Sequence, residues 1–336
     1  MRSLPFGPRG RWAVAVTVPA RDEEARIVAC LDAAAQSLRG RGGIAVLVNG
    51  SSDGTMERAM EWFAATGEAG LVLERPDSPA GGVGEVRRDT VAACATMLAP
   101  QGVVMTTDAD SRVFEDWVDA NLEELRGADL ICGSVFPDPA EFARLPPVIA
   151  QRGAVEGEYM ALTIALKTAI DPVPHDPEPT HLSEPGASLA FRMDLYQSVG
   201  GFAAMPGGED RALAERADLL GWRVRHSARA RVQTSCRLSG RAPGGMADAL
   251  QARIHADDPM VDWLLEPAEA TVTRARLWRE LRALPADVAP DVRTAARQRL
   301  AALPRQRLRL SDLPNEMPRL AAALAAETQG RERISA

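Results

Sequence analysis

The sequence predicts an α/β protein, with a doubly wound, mostly parallel sheet flanked by helices and a helical C-terminal extension. Three observations carry this. Short valine-rich runs alternate with helical stretches from Trp12 to Met105, the pattern of parallel strands joined by crossover helices. The chain has 336 residues, 46% hydrophobic and 25% charged, which excludes a disordered chain, a disulfide miniprotein and a fibrous repeat. From about Met246 onward the chain reads as wholly helical, rich in Ala, Leu and Arg and broken at Pro259, Pro285, Pro290 and Pro304.

Trp12 to Val18 reads as a buried strand that ends at Pro19-Ala20-Arg21-Asp22-Glu23-Glu24. Ile27, Leu31, Ala34 and Leu38 follow at helical spacing. Ile44 to Val48 is a second buried strand, broken at Asn49-Gly50-Ser51-Ser52-Asp53-Gly54-Thr55. Met56 to Ala65 reads as a helix and Leu71 to Leu73 as a short strand. The loop Gly81-Gly82-Val83-Gly84 leads into a helix from about Glu85 to Leu98. Gly102 to Met105 is the next buried strand, running into Thr106-Thr107-Asp108-Ala109-Asp110. Ligands of open parallel sheets bind at the carboxyl ends of the strands, so the clusters at 19–24, 49–55 and 106–110 should share one rim. Further on, 137–147 is proline-rich and Val155 to Ile170 reads as an amphipathic helix. Residues 171–187 form a proline-rich loop, the length of a lid or binding loop. Ser188 to Phe191 and the neighbourhood of Val224 read as short strands.

The net charge of −7 argues against non-specific nucleic-acid binding, which needs a basic footprint. Lys167 is the only lysine among 39 basic residues, a base-composition bias rather than a functional signal. The cysteines, Cys30, Cys94, Cys132 and Cys236, lie far apart with no metal-type pairing and imply free thiols in a reducing compartment. No signal peptide is apparent, and no stretch reaches the roughly 18 apolar residues of a membrane span. The expectation is a soluble cytoplasmic protein.

Asp108 and Asp110 are the strongest chemical signal. In an extended segment residues two apart point the same way, and two carboxylates at a strand end can share Mg²⁺ or Mn²⁺. The competing reading is a turn that caps the next helix. Gly81-Gly82-Val83-Gly84 could admit a phosphate to backbone amides at a helix start, or be a flexible loop. Arg87 and Arg88 just beyond it could reach a diphosphate or face solvent. Glu209-Asp210 opens a helix after Gly207-Gly208 and reads either as a cap or as a general base at a cleft rim. His181 lies in the proline-rich loop, where a substrate could touch it. The arginines at 293, 297, 299, 305, 307 and 309 read as a solvated helical face, or as a surface for anionic lipid head groups.

In order and spacing, VTVPARDEEARI (16–27), VLVNGSSDGT (46–55), GEVRRDTVAA (84–93), VVMTTDADSRV (103–113), EPGASLAFRMDLYQSVGGF (184–202) and GEDRALAERADLLGWRV (208–224) resemble family 2 glycosyltransferases with the GT-A fold. The resemblance covers about residues 12–240. It implies a catalytic nucleotide-sugar-binding domain over 11–245, after a tail over 1–10; the helical extension over 246–336 lies outside the resemblance. It implies that Pro19, Arg21, Glu23 and Asn49 hold the nucleoside of a nucleotide-sugar donor, UDP favoured. Asn49 departs from the acidic residue of many relatives. Asp108 would contact ribose and metal, Asp110 the metal (Mg²⁺ or Mn²⁺), and Arg87 or Arg88 the pyrophosphate. Gly186, Ala187 and Ser188, with Glu209 and His181, would line the sugar and acceptor pocket, and Asp210 would deprotonate the acceptor hydroxyl. Some such enzymes add a later histidine ligand; the stretch 234–240 has none. Without membrane-spanning segments, transfer of a single sugar is expected. The acceptor is not named by the sequence. The apolar residues of the extension imply packing on the catalytic domain or a homodimer contact. The alternatives are a sugar-1-phosphate nucleotidyltransferase, disfavoured by Pro19 to Glu24 where a glycine-rich loop would stand, and a non-catalytic nucleotide-sugar-binding scaffold.

Overall fold

Valine-rich runs become the central strands of the chain in a computed structural model, which describes residues 1–8, 10–240 and 244–335, with side chains as far as Gly330. The strands are β1 (Arg2–Phe6), β2 (Trp12–Ala20), β3 (Gly42–Asn49), β4 (Gly70–Arg75), β5 (Leu98–Thr106), β6 (Ser111–Val113), β7 (Leu130–Pro137), β8 (Leu189–Arg192) and β9 (Val224–Thr234). They form one sheet in the order β1-β4-β3-β2-β5-β8-β7-β9-β6. The block β4-β3-β2-β5 is parallel. Beyond it β8 runs antiparallel to both β5 and β7, while β7 and β9 are parallel.

Side chains alternate across a strand, so each buried run serves two cores. Val14, Val16 and Val18 of β2 join one apolar cluster with Ile44, Val46 and Val48 of β3, and Ala15, Ala45 and Leu47 join the other. The first face is covered by α1 (Ile27–Leu38), α2 (Thr55–Thr66) and α4 (Trp117–Glu124). The second is covered by α3 (Gly82–Ala95), α7 (Met193–Ser198) and α8 (Glu209–Leu220). All four residues expected on the inner stripe of α1 are buried.

Several elements differ from expectation. Residues 1–10 are not a plain tail: β1 pairs antiparallel with β4, because Leu4 and Phe6 alternate onto the core and Phe6 stacks on Phe63 at 5.3 Å. The helix expected from Glu85 to Leu98 runs from Gly82 to Ala95, and Leu98 already opens β5. The strands β6 and β7 and the helix α4 had no reading in the sequence. β9 is 11 residues long rather than short. Its alternation is hidden by arginines, and α4 and its flanks pair them: Arg225 with Glu124, Arg229 with Glu123, Arg231 with Asp116. Residues 171–187 carry neither helix nor strand, as expected.

The chain divides into two units, residues 1–144 with 178–248, and 145–177 with 249–336. The second unit is therefore not contiguous. The short α5 (Pro139–Phe142) belongs to the first unit, but α6 (Pro147–Ile170) belongs with the C-terminal helices. Its Tyr159, Leu166 and Ile170 share a core with Val261, Leu265, Leu308, Leu313 and Leu320. The helices there are α9 (Met246–His255), α10 (Ala268–Arg282), α11 (Pro290–Ala301) and α12 (Leu313–Ser335). Many of their apolar residues are thus covered within the unit itself, while Met246 and Val292 stay exposed. The boundary expected between 245 and 246 lies at the start of α9, and the two units divide after Asp248. The arginine run is not an open basic face. Arg305 pairs with Glu266, Arg299 with Glu280, and Arg293, Arg307 and Arg309 donate to the carbonyls of Pro285, Val261 and Asp258. Among the described residues no helix is long and apolar enough to cross a membrane. All four cysteines are free and buried.

Candidate active site

The register of β2, β3 and β5 brings their carboxyl ends to one edge, as the sequence predicts. Hydrogen bonds then stitch the three polar clusters together. The Asp22 amide donates to Ser51 Oγ at 3.0 Å and the Glu23 amide to Thr55 Oγ1 at 2.7 Å. The Cys30 thiol, on α1, donates to the Asp108 carbonyl at 3.3 Å.

Asp108 and Asp110 do not lie in an extended segment. The Ser111 amide donates to the Asp108 carbonyl at 3.0 Å, closing a turn. The two carboxylates consequently reach different cations. Asp108 Oδ1 accepts from Arg87 Nη2 at 2.5 Å, and Asp110 Oδ2 faces Arg237 Nη2 at 3.2 Å. They remain close enough to repel. Burial pushes the Asp110 carboxyl up to about 6, with Asp108 adding to it against the pull of Arg237.

Arg87 is not on the helix surface. It is 3% exposed, and its Nε donates to Glu209 Oε1 at 2.9 Å. Burial opposes its charge, but Asp108, Glu209 and Asp210 together raise its pKa. Its Nη1 is buried and has no hydrogen-bond partner. Arg88, in contrast, is exposed. Glu209 is also 3% exposed, so it is Arg87's partner and not an open pocket wall. Burial pushes its carboxyl up, and Asp210 adds to this against Arg87.

Asp210 is half-buried at the start of α8. Its Oδ2 accepts the Gly186 amide at 2.7 Å and its Oδ1 the Arg211 amide at 2.8 Å. Gly186 is fixed on two further sides. Its carbonyl accepts Thr106 Oγ1 at 2.5 Å, and a Cβ there would stand 2.5 Å from Arg87 Nη2, so any side chain would have to displace that guanidinium. Ala187 and Ser188 turn inward. Ser188 Oγ accepts from Trp117 Nε1 at 2.9 Å and donates to the Ala230 carbonyl at 3.3 Å, which takes its side chain out of any pocket.

The glycine loop at 81–84 is a packing device rather than a phosphate cradle. A Cβ on Gly84 would lie 2.0 Å from the Ala203 carbonyl oxygen. The Gly84 amide already donates to the Met205 carbonyl at 3.2 Å, and the Gly81 amide to Glu85 at 3.1 Å. The loop thereby holds the 203–208 segment that leads into Glu209 and Asp210.

The nucleoside candidates divide. Pro19 is half-buried near the end of β2, Asn49 is buried at the end of β3, and Arg21 is exposed. Glu23 is gripped by Arg237. His181 sits beside β9: its Nδ1 accepts the Ser183 amide at 3.2 Å, its Nε2 lies 3.4 Å from the Ser227 carbonyl, and its ring meets His226 edge-on. No local signal in the sequence singles out Arg237, because the stretch 234–240 stands out only for lacking a histidine.

Among the described residues, no group of three or more His, Cys, Asp or Glu side chains forms a metal cage. Asp108 and Asp110 nevertheless offer hard oxygen donors. They suit a divalent cation that draws its other ligands from water or phosphate.

No family model matches the chain, and no curated protein matches it. Solved structures do. A mannosyltransferase from Pyrobaculum calidifontis, in complex with GDP-Man and Mn²⁺, is 18% identical with a TM-score of 0.50, covering 96% of this chain and 77% of its own. TarS 1-349 from S. aureus, in complex with UDP-GlcNAc, is 14% identical with a TM-score of 0.50, covering 86% and 72%. These likenesses carry the fold alone: the chain has the GT-A architecture.

Proposed function

We propose that this chain is a glycosyltransferase. It moves a single sugar from a nucleotide-diphosphate sugar, UDP favoured, to an acceptor hydroxyl, with inversion and a divalent metal. One observation carries the reading: the strand-end cluster is short of positive charge. Among the described residues, the carboxylates of Glu23, Asp108, Asp110, Glu209 and Asp210 gather around the guanidiniums of Arg87 and Arg237, while Arg26, itself paired with Glu141, acts on Asp110 from farther away. Raised carboxyl pKa values beside unbalanced charge favour a functional site over a structural ion pair. The two structures described above bind nucleotide sugars, one of them with Mn²⁺, which supports the same reading.

Asp108 and Asp110 would hold Mg²⁺ or Mn²⁺, which supplies Lewis-acid charge to the departing diphosphate. Arg87 Nη1 is buried and unpartnered, and a phosphate oxygen brought to the site would satisfy it. Pro19, Arg21 and Asn49 at the strand ends would meet the nucleoside. Asn49, neutral where an acidic residue is common, leaves UDP as the favoured choice on the resemblance alone. Gly186 and Ala187 would line the sugar pocket through their backbone, with His181 toward the acceptor. Asp210 takes the acceptor proton. Its two amide bonds orient the carboxylate and leave a lone pair on each oxygen for the hydroxyl. A carboxylate base acting on the nucleophile implies a single displacement and hence inversion.

The test is a thermal-shift series with UDP-, GDP- and dTDP-sugars, each with Mn²⁺, Mg²⁺ or chelator. A donor at 100 times its Kd should stabilise the fold by about 2.7 kcal/mol, and only with metal. No shift with any nucleotide sugar and metal would overturn the proposal.

A further inference from the structure

Arg237 follows the end of β9 on a turn that is fixed independently of its guanidinium. Glu141 accepts from Ser235 Oγ at 2.6 Å and from the Cys236 amide at 2.9 Å. Arg26 steadies Glu141 at 3.2 Å, and the Ser235 amide donates to the Asp110 carbonyl at 3.2 Å. The side chain is 15% exposed and faces inward.

The guanidinium is held unequally. It grips Glu23 with both Nη atoms, Nη1 lying 2.6 Å from Oε2. It meets Asp110 through Nη2 alone, at 3.2 Å. A two-point grip on a carboxylate is the stronger contact, so Arg237 can leave Asp110 and keep its anchor. A divalent cation on Asp110 Oδ2 and the Nη2 donor cannot share that oxygen's approach, and two positive charges there repel.

We infer that Arg237 is a positioning residue, a counter-ion tethered to Glu23 that occupies Asp110 in the nucleotide-free protein and yields it when a divalent cation arrives with a diphosphate. This rests on the proposed reading of the rim as a cation–diphosphate site. The cation alone must displace a guanidinium and therefore binds weakly. A diphosphate supplies an anionic acceptor for the Nη2 that leaves Asp110, so the two ligands assist each other. Such coupling is reciprocal: UDP tightens Mn²⁺ by the factor by which Mn²⁺ tightens UDP.

The experiment measures free Mn²⁺ by electron paramagnetic resonance, with and without UDP, for the full chain, Arg237→Met and Arg237→Lys. In the unaltered chain UDP should tighten Mn²⁺ at least tenfold. Arg237→Met should bind Mn²⁺ without UDP at least tenfold more tightly than the unaltered chain and lose most of the coupling. Arg237→Lys keeps a charge without the fork and should fall between. Mn²⁺ that binds beside UDP in the unaltered chain without such coupling overturns the inference and leaves the reading of the site intact. So does an unchanged or weaker UDP-free affinity in Arg237→Met. Mn²⁺ bound by no protein under either condition overturns both.

Discussion

In the helical unit Glu266 accepts both nitrogens of Arg274 at 2.6 and 2.9 Å, Arg305 at 3.0 Å and the Gln306 amide at 3.2 Å. At the sheet rim Asp110 has one guanidinium at 3.2 Å and hydroxyls at 3.5 Å. Both carboxylates are largely buried, and burial pushes both upward. For Glu266 the two arginines and the amide outweigh it and hold the carboxyl below its ordinary value. For Asp110 burial wins, and Asp108 and Glu23 reinforce it. The difference teaches how to separate a structural ion pair from a binding site. A structural cluster saturates its lone pairs, whereas a binding site leaves a charge uncompensated for a ligand to neutralise.

The sharpest way to break this contrast is Glu266→Ala. It strands Arg274 in a buried position and should cost about 3–5 kcal/mol, read from denaturant unfolding. A loss under 1 kcal/mol would mean that the cluster is not structural. Next in size, Asp210→Asn keeps the shape of the side chain and one of its two accepted amide bonds but removes its basicity. Transfer should fall by about 10²–10⁴-fold while nucleotide-sugar binding survives. Glu209→Gln should leave more activity, because Glu209 acts through Arg87. Near-normal turnover in Asp210→Asn would remove it as base.

Asp110→Asn should move stability the other way. Removing a destabilised charge should raise the metal-free protein's stability by up to about 3 kcal/mol at pH 7 while abolishing metal-dependent UDP binding. Unchanged Mn²⁺-dependent UDP affinity by calorimetry would take Asp110 out of the site.

The smallest effect is the pH dependence, and the two clusters have opposite signs. The folded Asp110 carboxyl, at about 6, keeps a proton that the unfolded chain, with its ordinary 3.8, has lost. Between those values stability falls as pH rises, so the gain from Asp110→Asn should be full above pH 6 and vanish below 3.8. Glu266 is lowered from 4.5. Its contribution is full above that value and is lost as pH falls through its lower folded value. Melts of both variants from pH 3 to 8 should therefore diverge from the unaltered chain in opposite directions. Parallel profiles would erase the comparison.

The alternation of Val14, Val16 and Val18 with smaller residues, the stripe from Ile27 to Leu38 and the polar breaks at 19–24, 49–55 and 106–110 determine the parallel half of the sheet by local pattern alone. Their physics is short-range: side-chain period and turn chemistry. What only the tertiary structure decided is long-range. β1 closes the sheet edge from the far side of two strands, and the arginines of β9 look like surface until the acids of α4 neutralise them. The helix α6 lies between parts of the first unit in sequence, yet shares a core with residues a hundred positions later. The rim obeys the same division. Asp108, Asp110 and Asp210 stand out as acids at strand and helix ends. That Arg87 is buried between Asp108 and Glu209, and that Arg237 reaches both Glu23 and Asp110, follows from Coulomb attraction between segments up to 214 positions apart. No local pattern in the chain encodes such a distance.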